Sequence, residues 1–399
     1  MSAAIDYPNF SFTITAQDKI TKARAGKLVT PHGVIETPGI VFCATNAALK
    51  SILPSRAGEL GTQAMFVNTY EAWLHEVPEV TAQAGGLHKF MRWQKPLLTD
   101  SGGFQIFSMK HGGVLDEVKS RGTAKRDKTL ISIDEAGATF RSYRNGDIHT
   151  LTAEISIQLQ RQLGADLVMM FDECTAFRDS EKYTADSMAR SCRWGMRSLE
   201  EFKRHHDGTQ VLYGISQGGV YPKLRAESAA WMNEQPFFGQ AVGGCFGQDQ
   251  AQFHDTIAFA REPMRDDRPT HALGVGYVQD VWEMVALGID TMDCVHPTRV
   301  ARTGRALSWE GPAFFLNLKN AAYRFDHKPL DENSKCPESH YSRSYIHHLF
   351  RSDEHTAGQI LAAHNMAFMN QLMADIRSHI IAGSFSSALQ DWRGRAKAA

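Results

Sequence analysis

The sequence predicts an α/β fold, a closed (β/α)8 barrel, and three features of its 399 residues carry that expectation. Short apolar runs recur along the chain, stretches of helical period separate most of them, and the runs end on polar residues or glycine. In order the runs are Gly39–Cys43, Ala64–Asn68, Pro96–Asp100, Asp166–Asp172, Val211–Gln217, Gln240–Gly244, His271–Gly276 and Thr291–Val295. Amphipathic stretches such as Thr184–Arg204 and Val278–Leu287 supply the crossovers. A doubly wound open sheet has the same alternation, but no run here leads into G-x-G-x-x-G. In a closed barrel the chemistry sits at the C-terminal ends of the strands. Those ends carry Asn68, Asp100, Asp172, Gln217, Gly243, Gly244, Gly274 and Asp293.

The remaining segments fall outside this repeat. Thr129–Tyr143 alternates, turns at Glu135-Ala136-Gly137 and continues, which predicts a β-hairpin insert at about residues 110–150. A basic loop with Lys119, Arg121, Lys125, Arg126 and Lys128 precedes it. The barrel core is expected over 1–310, and a C-terminal helical subdomain, interrupted by polar Asp331–His340, over 311–399. Its long helix, Glu354–Ile381, places Ile360, Leu361, His364, Phe368 and Leu372 on one face, and the last residues read as a small polar tail.

Composition narrows the function class. With 43% hydrophobic and 22% charged residues, the chain can bury a full core. The net charge of −1 hides an asymmetry: from Val295 onward 13 Lys and Arg face 9 Asp and Glu, which suits a polyanion bound on one face. Six dispersed cysteines without C-x-x-C pairs fit reduced, buried thiols rather than a disulfide framework. The start, Met-Ser-Ala-Ala-Ile-Asp, has no basic-then-apolar stretch, and no run approaches the roughly 18 apolar residues of a membrane span. The expectation is a cytoplasmic protein without a membrane partner.

A carboxylate where a strand stops is placed for chemistry, although a lone one commonly caps a helix or forms a turn. Here the candidates lie inside longer motifs. The runs Thr99-Asp100-Ser101-Gly102-Gly103-Phe104-Gln105, Phe171-Asp172-Glu173-Cys174-Thr175, Gly214-Ile215-Ser216-Gln217-Gly218-Gly219 and Asp293-Cys294-Val295-His296-Pro297-Thr298-Arg299 resemble, in order and spacing, the tRNA-guanine transglycosylases. The likeness runs from about Ala23 to Gly383. That family is a (β/α)8 TIM barrel with a metal-binding insert. It exchanges guanine at the first anticodon position of certain tRNAs for a 7-deazaguanine without breaking the strand.

Base exchange on a ribose passes through an oxocarbenium-like state, as glycoside hydrolysis does, and retention needs a carboxylate nucleophile and a second group handling protons. The resemblance makes Asp293 that nucleophile, holding a covalent ribosyl intermediate, and Asp100 the general acid/base. No cofactor is needed for the chemistry. A flat purine-like ring wants donors and acceptors on its edge and apolar faces above and below. Asp172 would accept from the guanine-type edge, Gln217 and the Gly244 amide would donate to its carbonyl, Ser101 would lie close by, and Phe104 and Leu273 would sandwich the ring.

Family members using the small aminomethyl precursor usually carry a branched residue shortly after the Gly-Gly pair, whereas queuine users have glycine. Gly247 stands at that place and points to queuine; a glycine required by the backbone is the plain alternative. Arg299, Arg302 and Arg305 follow the nucleophile at a spacing of three, and the family's matches to Arg299 and Arg302 contact the uridines flanking the exchanged base. A homodimer is implied as well.

The metal motif departs from the pattern. The family binds structural zinc through C-x-C-x-x-C and a later histidine, but this chain reads Ser334-Lys335-Cys336-Pro337-Glu338-Ser339, with His364 beyond. Serine hydroxyls are poor zinc ligands. Loss of tight zinc is expected, with His364 a satisfied core histidine; a rebuilt site from Cys336, His340 and His364 is the alternative. Two rival functions share the resemblance. A non-catalytic tRNA-binding partner subunit would lose the nucleophile and base-edge residues, which this chain keeps, and a paralogue inserting deazaguanine into DNA would not need Arg299 and Arg302.

Overall fold

The computed structural model describes residues 5–111, 129–244 and 247–398, so the basic loop from Lys119 to Lys128 lies outside the described residues. Three antiparallel strands open the chain: β1 (Ser11–Gln17), β2 (Arg24–Thr30) and β3 (Gly33–Thr37). The sheet lies outside the apolar runs: β1 does alternate, with Phe12, Ile14 and Ala16 on one face, but the strand is mostly exposed and no continuous apolar stretch marks it.

Each apolar run then contains or overlaps one barrel strand. These are β4 (Gly39–Cys43), β5 (Met65–Val67) and β6 (Leu97–Thr99), followed after the insert by the other five. The insert is richer than a hairpin: β7 (Leu130–Ile133) and β8 (Ala138–Arg141) turn where expected, and β9 (Ile148–Leu151) adds a third antiparallel strand. Phe140 and Leu151 from this sheet pack with Tyr70, Leu74, Phe171 and Trp194. The barrel resumes with β10 (Leu167–Met169), β11 (Val211–Ser216), β12 (Gly239–Val242), β13 (Thr270–Ala272) and β14 (Thr291–Cys294). All neighbours are parallel, and β10 pairs with β6 to close the barrel. Closure leaves no strand edge unpaired, and the helices bury the outer face.

The crossovers follow from capping and periodicity. Thr152 caps the helix Ala153–Leu163, which stops at Gly164 with φ +72°. Ser180 likewise caps Glu181–Arg204, whose buried stripe includes Met188, Trp194, Leu199 and Phe202.

The N-terminal sheet is clasped to the N-terminal mouth of the barrel through two buried aspartates. Arg24 grips Asp290 with Nε at 2.9 Å and Nη2 at 2.5 Å, while the Thr270 N–H donates to the same carboxylate at 2.7 Å. Asp166 accepts from the Leu97 N–H at 2.8 Å and holds His32 Nδ1 at 2.7 Å, with His88 Nε2 3.2 Å away.

Beyond β14, β15 (Arg305–Leu307) pairs with β16 (Phe315–Asn317), so a strand pair spans residue 310 before the helices begin. The helix His355–Ile381 is buried at Ile360 and Leu361 in the subdomain's own core and at Met369, Leu372 and Ile376 in the barrel's. The expected polar tail is instead a helix, Phe385–Ala398, with Phe385, Leu389 and Trp392 buried. Its apolar residues recur at helical spacing among serines, a glutamine and an aspartate, ahead of the basic residues Arg393, Arg395 and Lys397. Among the described residues no helix is long and apolar enough to cross a membrane.

Candidate active site

Asp100 lies just past β6, where the chain turns through Ser101 and Gly102 into the helix Gly103–His111. Its carboxylate accepts the Thr69 N–H at 2.6 Å and the Asn68 side-chain amide, while the Thr69 hydroxyl donates to its carbonyl at 2.6 Å. Asn68 in turn caps the helix Thr69–Leu74 by accepting from the Glu71 N–H, so a helix start at the end of β5 orients Asp100. Burial pushes the Asp100 carboxyl up to about 7, and the Asp293 and Asp172 carboxylates push it the same way against the Thr69 N–H. A carboxyl poised there can give and take a proton near neutral pH.

Asp172, past β10, is buried and accepts from the Ser101 hydroxyl at 2.8 Å and from Gln217 Nε2 at 2.6 Å. Burial pushes it up to about 6, with these donors opposing. The Gln217 donor expected to serve a base is therefore engaged with Asp172. Its Oε1 is buried without a hydrogen-bond partner among the described residues, as befits a surface awaiting a polar ligand. Glycine is required around this pocket. A Cβ on Gly103 would stand 2.3 Å from the Asp172 carbonyl oxygen, and one on Gly244 (φ +102°) 2.8 Å from Gln217 Oε1. Arg225, fully buried, braces the floor by donating to the carbonyls of Ser216, Gly219 and Gly243 at 2.8 Å each.

Asp293 occupies the third position of β14. Its Oδ1 accepts the Gly274 N–H at 2.8 Å and lies 3.2 Å from His271 Nε2; its Oδ2 is 3.4 Å from Cys43 Sγ. The sequence motifs missed Cys43 and His271, along with Asn68 as a partner of Asp100. All three stand on or beside strands neighbouring their partner in the closed barrel, an adjacency that appears only with the strand order.

Phe104 keeps 47% of its surface exposed although it is a large apolar ring beside a buried polar pocket, and Leu273 is half-buried next to Gly274. Gly247 has φ +126°, and a Cβ there would meet Gln252 at 2.7 Å, so glycine at this position has a backbone cause whatever the substrate. Arg299 and Arg302 are exposed on the last turn of the helix His296–Arg302, directly after Asp293, and no ion-pair partner for either occurs among the described residues. Arg305 stands apart: it lies on β15 with its guanidinium 4.7 Å from the Phe315 ring centroid.

The residues in the family's zinc place do not suit the ion. His364 is buried with both nitrogens in use, Nδ1 2.8 Å from the Ser339 hydroxyl and Nε2 2.8 Å from the Leu307 carbonyl. Burial lowers its pKa, so the neutral ring is favoured. The Cys336 thiol donates to Glu338 at 3.1 Å, and Arg56 holds that carboxylate through Nε at 2.9 Å and Nη2 at 2.6 Å. His340 is exposed, its Nε2 on the Ser334 carbonyl at 2.9 Å, so Cys336, His340 and His364 do not converge.

His32, His88 and Asp166 do bring their ligand atoms within 4.8 Å of one another. The two imidazoles, however, stack with centroids 3.5 Å apart and planes 12° from parallel. An ion in the plane of one ring lies out of the plane of the other, so the group is a hydrogen-bonded clasp rather than a metal centre.

Comparison with known proteins agrees with this geometry. The family model described as queuine tRNA-ribosyltransferase matches residues 18–398. Curated relatives carrying that name include one from Roseiflexus sp. (strain RS-1), 40% identical over 396 residues that span 96% of this chain and 99% of the relative. Another, from Protochlamydia amoebophila (strain UWE25), is 40% identical across 93% of this chain and 95% of the relative. A third, from Zymomonas mobilis subsp. mobilis (strain ATCC 31821 / ZM4 / CP4), is 39% identical across 98% of this chain and 96% of the relative.

Proposed function

The chain belongs to the queuine tRNA-ribosyltransferase family, and from that premise we propose that it exchanges guanine at the first anticodon position of tRNA for a 7-deazaguanine, with queuine as the incoming base. The observation that carries this reading is the trio of aspartates Asp100, Asp172 and Asp293, gathered at the C-terminal end of one barrel on amide, hydroxyl, thiol and imidazole partners, with no lysine or arginine bonded to them among the described residues.

In the first half-reaction an Asp293 oxygen bonds to the anomeric carbon as the C1′–N9 pair leaves with guanine, which takes the Asp100 proton. In the second, the incoming base gives its N9 proton to Asp100, N9 bonds to C1′, and Asp293 leaves. Asp172 reads the amine and ring N–H of the base edge, with Ser101, Gln217 and Gly244 around it and Phe104 and Leu273 on the ring faces. Arg299 and Arg302 contact the tRNA on either side of the exchanged nucleotide, and Arg305 extends this basic strip. Gly247 leaves room for queuine, but its backbone requires glycine for any substrate, so the choice of base rests on the competition below. We propose further that the C-terminal subdomain is stable without zinc and that the protein works as a cytoplasmic homodimer.

The test is labelled-guanine exchange offered tRNA and duplex DNA in parallel, followed by queuine and the aminomethyl precursor as incoming bases. Label entering tRNA and displaced best by queuine is the expected result. Label entering only DNA transfers the reading to a DNA-modifying paralogue, and no exchange with either leaves the partner-subunit reading. Metal analysis with a chelator-treated melting curve checks the zinc proposal, and sedimentation checks the dimer.

A further inference from the structure

The geometry points to His271 as the positioning residue that selects which oxygen of Asp293 reacts; this inference rests on the base-exchange reading above. β13 and β14 are parallel neighbours with His271 opposite Thr291, and side chains two apart on a strand share a face. His271, Thr291 and Asp293 therefore project together from the sheet, and His271 is fully buried there with the Phe66 ring nearly parallel at 6.2 Å.

The ring bridges its neighbours, with Nδ1 2.8 Å from the Thr291 hydroxyl and Nε2 3.2 Å from Asp293 Oδ1. A carboxylate only accepts, so Nε2 must carry the hydrogen it shares with Oδ1; in the neutral ring Nδ1 then accepts from the Thr291 O–H. Oδ1 is thus fixed by two donors, His271 Nε2 and the Gly274 N–H at 2.8 Å. Among the described residues, Oδ2 has only the weak thiol donor of Cys43, at 3.4 Å. The oxygen with the freer lone pairs is Oδ2. It is Oδ2 that bonds to C1′ as the C1′–N9 pair departs, while His271 holds Oδ1 and stops the carboxylate from rotating. A misaimed nucleophile slows bond formation without weakening substrate binding.

The experiment compares His271→Asn with His271→Gln. The asparagine amide ends near the Nδ1 position and keeps the Thr291 contact, whereas the glutamine amide reaches the Nε2 position and can still donate to Asp293. Single-turnover formation of the ribosyl adduct and tRNA affinity are measured for both, with Asp293→Asn as control. His271→Asn is expected to slow adduct formation about 10- to 100-fold, the worth of one hydrogen bond to a charged group, with tRNA affinity unchanged. His271→Gln should recover to within about threefold of the native rate.

Equal rates for the two variants, whether fast or slow, overturn the assignment, as does a loss confined to tRNA affinity. If Asp293→Asn still forms the adduct, the base-exchange reading of Asp293 itself falls. If it forms none while both His271 variants match the native protein, only the role of His271 falls. Nitrogen NMR of the native protein is independent of variant folding: a hydrogen on Nε2 and a bare Nδ1 are expected, and the opposite tautomer overturns the proposal.

Discussion

The two mouths of the barrel hold the same residue type in opposite states. At the N-terminal mouth, Asp290 is clamped by Arg24 and Asp166 by His32 and His88. At the C-terminal mouth, Asp172 is buried and Asp100 half-buried, yet neutral amides and hydroxyls are their donors, and desolvation carries the carboxyls of Asp100 and Asp172 up to about 7 and about 6. A buried carboxylate with a cationic partner is structural cement, because removing the partner strands a charge. One with neutral donors retains a titratable proton and free lone pairs, which are the requirements of chemistry. Position on the strand suggests this division, and the partners decide it.

Four substitutions or titrations probe the contrast, beginning with the largest effect. Arg24→Met should destabilise the fold by about 3–5 kcal/mol, since Asp290 would be buried without its counter-charge. Urea unfolding measures this, and a loss below about 1 kcal/mol would erase the distinction between the mouths. Asp172→Asn should do the reverse. The Gln217 amide can turn its unpartnered Oε1 toward the new donor, so stability should change by less than about 1 kcal/mol. Guanine affinity, read by calorimetry, should fall about 10- to 100-fold, because a guanine edge presents two donors and the variant only one acceptor.

The third probe is pH. Burial raises Asp100 to about 7, and release of guanine needs its protonated form. Single-turnover release should therefore be level below about pH 7 and fall about tenfold per unit above it. A profile still level at pH 9 would remove Asp100 as the acid. The smallest effect belongs to His32→Gln. The hydrogen bond to Asp166 raises the His32 pKa, and for Asp166 the bonds to His32 and His88 outweigh burial and lower it. The His32 share of stability is thus present below the ordinary value of 6.5 and lost as pH rises through the folded value. Asp166's share is present above 3.8 and lost as pH falls through its folded value. His32 is partly exposed, so solvent screening limits the loss to below about 1 kcal/mol at pH 6, shrinking toward zero at pH 9.

Much of this architecture was legible before any coordinates. All eight barrel strands lie within or overlap the apolar runs, because a strand buried on both faces needs continuous hydrophobicity. Asp100 and Asp172 stood out because they end such runs, and Asp293 because it interrupts one with a carboxylate. What escaped depended on partners distant in sequence or on exposed surface. β1 alternates in Phe12, Ile14 and Ala16 but stays mostly exposed, and β9 adds a third strand to the insert after an Asn145-Gly146 turn. His271 sits inside an apolar run and reads as packing until β14 is laid beside it. Arg24 and Asp290 are separated by 266 residues, and only the closed barrel joins them.

The last helix carries a consequence for synthesis. Trp392 stacks within 6.1 Å of Trp282 and 4.9 Å of Phe314, closing the outer wall over the helix Val278–Ala286. A ribosome finishes the eighth barrel strand at Cys294 and must add a hundred further residues before Trp392 can emerge. Until then the nascent protein presents a bare aromatic seam to the cell, so a premature stop anywhere in that stretch releases a sticky intermediate rather than a smaller working enzyme.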